Sequence, residues 1–168
     1  MTTIRMGDLP GLFAAVGAEM EKRAAELCEM DARMGDGDLG LTMKKGFAAM
    51  PSILEAIDEP DLGKRLMKAG MKMAALVPST MGTLMASGVM GGGKALTGRD
   101  LIDAAGYRDY LVGFAEGIAR RGKCSRGDRT VLDAIGRAAD KLAAAIAERP
   151  GLSLAEAAEI ALLGAREG

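Results

Sequence analysis

Histidine is missing from the 168-residue chain. Its absence excludes a Ser-His or Cys-His nucleophile system and any His-ligated zinc site. Acid–base chemistry would have to rest on carboxylates, lysine or a bound ligand. Tryptophan is missing as well, and aromatic residues make up only 3% of the chain. The apolar content, 49% of residues, is carried mainly by Ala, Leu and Met, with 24 glycines beside them. That mixture favours packed helices over a sheet. Neither sign of charge is in excess, with 22 Lys and Arg against 23 Asp and Glu. The basic footprint of a nucleic-acid binder is therefore absent. No apolar run reaches the length of a membrane span, and no leader-like segment opens the chain. The two cysteines, Cys28 and Cys124, stand apart in sequence and fit a reducing compartment. Together these features predict a soluble, cytoplasmic chain forming one domain over residues 1–168.

What is present reads as helix throughout. Over residues 10–29, Leu12, Val16, Met20, Ala24 and Leu27 form one apolar stripe opposite a charged face. Further helices are expected at 41–57, 61–76 and 81–95, the last of these fraying at Gly91-Gly92-Gly93. Thr97 or Asp100 is expected to cap a fifth helix ending near 121. A sixth is expected over 129–147, and Ser153 with Glu156 makes a capping box for a seventh. No strand alternation is legible. The fold class that follows is all-α, about seven antiparallel helices joined by short loops. Met67, Met71 and Met73 read as core filler.

The most informative stretch is MDARMGDGDLGLTMKKGF, residues 30–47. Asp31, Asp36 and Asp38 crowd into eight positions between two apolar helical segments. A solvated turn is the ordinary reading of an Asp- and Gly-rich loop. Here the small residues between the acids let the backbone bend so that all three carboxylates face one spot. A hard divalent cation would relieve their repulsion. An EF-hand frame fails, because counting from Asp36 puts Phe47 where a Glu is required. An incomplete carboxylate shell suits Mg²⁺, which takes its remaining ligands from water and phosphates. About two Mg²⁺ ions would balance three carboxylates against a polyphosphate.

These residues resemble the signature of the dihydroxyacetone kinase L-subunit family. PSTMGTLMASGVMGGGKAL, residues 78–96, is similar to that family's second loop and following helix. GDRTVLDAI, residues 127–135, is similar to its third motif. The resemblance runs over about 30–165. It implies a barrel of eight antiparallel helices with a nucleotide, ATP or ADP, in its mouth. It implies that Asp31, Asp36 and Asp38 hold two Mg²⁺ ions and are the residues of the catalytic centre. Thr42 falls where the family commonly carries an Asn near the phosphates. Ser79 and Thr80 fall in the phosphate loop, and an N-cap is the plain structural alternative for them. Gly82 would allow close approach to the ligand. Gly127, Asp128 and Thr130 fall near the base and ribose, with a helix cap as the alternative for Asp128. Met81 and Leu132 are expected adenine walls or plain core. Lys44 and Lys45 read as solvated, with contact to phosphate or a partner as the alternative.

The family's acceptor, dihydroxyacetone, is held on a separate K subunit through a histidine there. This histidine-free chain would then supply only the donor half. The donor would be ATP, or a phosphotransferase-system protein that rephosphorylates bound ADP. A non-catalytic nucleotide sensor using the same pocket is the alternative function. Leu39 replaces the polar residue often found after the third aspartate. The family's lid and eighth helix have no counterpart in this sequence. A seven-helix barrel is expected to leave an apolar seam between the first and seventh helices, favouring a homodimer or a partner there.

Overall fold

The computed structural model describes residues 3–168. Seven helices carry the described chain: α1 (Leu9–Asp31), α2 (Leu39–Glu55), α3 (Leu62–Leu76), α4 (Thr80–Ala95), α5 (Ala104–Gly122), α6 (Val131–Glu148) and α7 (Leu154–Glu167). The all-α expectation holds. Each helix packs on the next in chain order, as short connections between antiparallel helices require.

Caps fix most of the helix starts. Asp61 accepts the Lys64 N–H at 2.7 Å and, across the fold, the Gly98 N–H at 2.8 Å. The Ser153–Glu156 capping box forms as its spacing predicts. Two caps differ from expectation. The fifth helix begins after Asp103, whose side chain accepts the Gly106 N–H, and not after Thr97 or Asp100. The reason is a pair of two-residue strands that the sequence did not announce. β1 (Ile4–Arg5) pairs antiparallel with β2 (Leu101–Ile102), which keeps residues 101–102 extended. Thr130, not Asp128, caps α6, in a capping box with Asp133. Asp128 instead accepts the Ser125 N–H at 2.8 Å and closes its own turn.

The expected fraying at Gly91–Gly93 is also corrected. All three lie inside α4, and Gly92 and Gly93 are buried. A Cβ on Gly91 would strike the Gly113 carbonyl oxygen, and one on Gly92 would strike the Tyr110 ring. The glycines thus let α4 and α5 approach closely.

The main core gathers Met50, Leu54, Leu66, Met73, Val89, Leu96 and Ile118, all fully buried. A second cluster joins α5, α6 and α7 through Leu111, Ala138, Ala139, Leu142, Ala157 and Ala161. Of the methionines read as filler, Met73 is buried whereas Met71 is exposed. On α1 the buried residues are Leu9, Phe13 and Gly17. The stripe of Leu12, Val16 and Met20 instead lines an apolar cavity of about 330 Å³, with Leu154 and Ala158 of α7 on its other wall. Among the described residues no helix is long and apolar enough to cross a membrane.

Candidate functional site

Asp31 is the last residue of α1, and Asp38 immediately precedes α2. The connection between them is a tight turn. The Met34 and Gly35 N–H groups donate to the Asp31 carbonyl at 3.0 and 2.6 Å. Gly37 takes a left-handed φ of 76° that a residue with a side chain rarely adopts. Gly40 has no room for a Cβ, because one would overlap the Ala24 carbonyl of α1. This contact draws the start of α2 against α1 and so brings Asp38 beside Asp31.

The three aspartates converge. One carboxylate oxygen from each of Asp31, Asp36 and Asp38 lies within 4.8 Å of the others. Asp31 is half-buried, and the other two are exposed. The Leu39 N–H donates to the Asp31 carboxylate at 3.3 Å, and the Asp38 N–H donates to Asp36 at 3.4 Å. The start of α2 therefore points its partial positive charge at the cluster. Asp38 makes no side-chain cap bond, so its carboxylate is not tied to the start of α2. Desolvation, followed by the charges of Asp36 and Asp31, pushes the Asp38 carboxyl above the usual aspartate range. Among the described residues no lysine or arginine forms an ion pair with these acids; the nearby Arg33 pairs with Glu29 at 3.7 Å. The donor set is all carboxylate oxygen, which fits a hard divalent cation.

Across from this cluster α4 begins. Ser79 caps it by accepting the Gly82 N–H at 3.1 Å, and Thr80 is its first residue. Gly82 is buried, and a Cβ there would overlap the Val77 carbonyl, so its smallness shapes the loop itself. Asp38, Thr42 and Ser79 share one cavity of about 360 Å³, whose far wall is Leu76, Val77 and Pro78. Leu76 and Val77 were missed in the sequence, although they directly precede Pro78-Ser79.

The third motif lies elsewhere. Gly127 and Thr130 line a separate cavity of about 680 Å³ with Arg126, Arg129 and Arg137. Leu132 is buried in the main core, and Met81 packs half-buried against it. The fold thus brings Asp38 and Thr42 of the first motif and Ser79 of the second into one cavity, which Asp31, Asp36 and Thr80 do not line, and leaves the third motif in another.

The DAK2 domain family matches residues 33–168. The chain belongs to that family. Among relatives of this DAK2 chain is the ADP-binding subunit DhaL of PEP-dependent dihydroxyacetone kinase 1 from Listeria innocua. The two are 29% identical over 70% of this chain and 59% of the relative. L-erythrulose 1-kinase of Mycolicibacterium smegmatis is 31% identical over 89% of this chain and 26% of its own length. The DAK2 chain therefore spans little more than half of the former and about a quarter of the latter. Its fold matches the crystal structure of dihydroxyacetone kinase from C. freundii in complex with AMP-PNP and Mg²⁺. The TM-score is 0.68 at 23% identity, over 94% of this chain and 28% of that one.

Proposed function

We propose that residues 1–168 act as one nucleotide-binding unit, the phosphoryl-transfer part of a dihydroxyacetone-type kinase in the cytoplasm. Asp31, Asp36 and Asp38 would hold two Mg²⁺ ions, and these would bridge and neutralise the phosphates of ATP or ADP. The observation that carries this reading is the convergence of three unpaired carboxylates within 4.8 Å, beside a cavity that also contains Ser79. Ser79 and Thr80 sit at a helix N-terminus, whose N–H groups favour phosphate oxygens. Thr42 extends the same wall. The chain's own contribution is placement: a rigid turn fixes the aspartates, and positioning supplies most of phosphoryl-transfer catalysis. Gly127, Asp128, Thr130, Met81 and Leu132 are assigned to the base and ribose by motif alone.

The acceptor is a ketose or polyol held by a separate K-type subunit. The donor is ATP, or a phosphotransferase-system protein that recharges bound ADP. With no histidine, this chain lacks the residue through which the family's K subunit holds the ketone. The test is calorimetric titration of Mg·ADP into the wild-type chain and Asp36→Ala. Wild type should bind, and Asp36→Ala should lose binding while its helical circular dichroism stays intact. Equal affinity in the two chains would overturn the assignment.

A further inference from the structure

Lys44 and Lys45 are neighbours in sequence but are used differently. The Lys44 ammonium pairs with Glu21 of α1 at 2.7 Å. Lys45, a helical step of about 100° further round α2, lines the cavity that also contains Asp38, Thr42 and Ser79. Asp38, Thr42 and Lys45 stand at i, i+4 and i+7 on one face of α2. Helical side chains lean toward the helix N-terminus, so this spacing directs Lys45 back toward the aspartate loop. Among the residues lining this cavity Lys45 is the only cation and Asp38 the only acid. The cavity therefore carries one negative and one positive side chain, with no ion pair between them among the described residues. A simple cation answers only the first, and a simple anion only the second. A polyphosphate carrying divalent cations answers both.

We propose that Lys45 binds the phosphate oxygens of the nucleotide, on the side away from the cations held by the aspartates. It is a binding residue for that polyphosphate, and the inference rests on the nucleotide reading given above. The ammonium supplies charge where the carboxylates supply only repulsion. It also sets the register of the phosphate chain along α2 by contacting one of its ends.

The test compares wild type with Lys45→Met, Lys45→Arg, Lys44→Met and Asp36→Ala. Mg·ADP affinity is read by calorimetry, and Mn²⁺ affinity without nucleotide by electron paramagnetic resonance. Lys45→Met should weaken Mg·ADP about tenfold or more, the usual worth of a charge-assisted contact. Lys45→Arg should restore most of that loss, and Lys44→Met should stay within about twofold of wild type. Mn²⁺ binding alone should be unchanged or tighter in Lys45→Met, because a nearby positive charge has gone. Equal Mg·ADP affinity in Lys45→Met and wild type overturns the role of Lys45, even where Asp36→Ala abolishes binding and so supports the nucleotide reading. Weaker Mn²⁺ binding in Lys45→Met also overturns it, since the side chain would then be shaping the metal site itself. Full affinity in Asp36→Ala, or no binding by wild type, overturns the nucleotide reading and this inference with it.

Discussion

Asp133 accepts two backbone N–H groups, from Gly127 at 2.6 Å and from Thr130 at 2.8 Å. Those bonds hold its carboxyl below the usual aspartate range. A depressed folded-state value adds stability above the unfolded aspartate value, near pH 4. That stability is lost as pH falls through the lower folded value. Acid unfolding below about pH 4 should therefore begin partly at the start of α6. Asp133→Asn should flatten the pH dependence of the thermal midpoint in that range; a curve as steep as wild type's would contradict the capping role. The same corner shows where residue-level reading of the sequence stopped. Asp128 and Thr130 are both good caps, and only the left-handed φ of 58° at Arg129 turns Thr130, not Asp128, toward the helix. The three aspartates were legible because their meaning lies in local spacing and repulsion. The place of Lys45 was legible in principle through its spacing of seven from Asp38 and three from Thr42, but which lysine faces α1 and which faces the cavity is decided by packing.

The starts of α3, α4 and α7 followed their caps at Asp61, Ser79 and Ser153, since those signals act within a turn of the chain. Two of the failures share one cause: the deciding contact comes from another element. Two-residue strands are too short to show alternation, so β2 delayed α5 without warning. The glycines of α4 look like a helix end until α5 is set beside them. That packing carries a contrast between two glycine substitutions. Gly91→Ala places a methyl group against the Gly113 carbonyl and should cost about 1–3 kcal/mol. Gly11→Ala in α1 meets nothing within 4 Å and should gain about 0.5 kcal/mol through helix propensity. Thermal melts of the two variants should move in opposite directions. A gain in stability for Gly91→Ala would mean that α4 and α5 do not pack as closely as described.

Across the whole molecule, helices pack in a row from α1 to α7, and the two ends of that row flank an apolar groove. The exposure of Leu12 at 41% and the half-burial of Val16 and Met20 follow from that open side. A fluorescent apolar dye should bind the native chain there and brighten, and Ala158→Trp should displace it by filling the groove. No brightening with the native chain would show that α1 and α7 close together in solution. The small strand pair sits at this same end, and it has a consequence in time. Ile4 finds its partner Ile102 only roughly a hundred residues later. At ribosomal rates of about 5–20 residues per second, that is roughly 5–20 s of synthesis. Within that interval α1 and α2 are completed and can dock, yet β1 has no strand to pair with. Ile4 and Arg5 are thus secured long after they are made, and this short strand is sewn in only once the fourth helix has been completed.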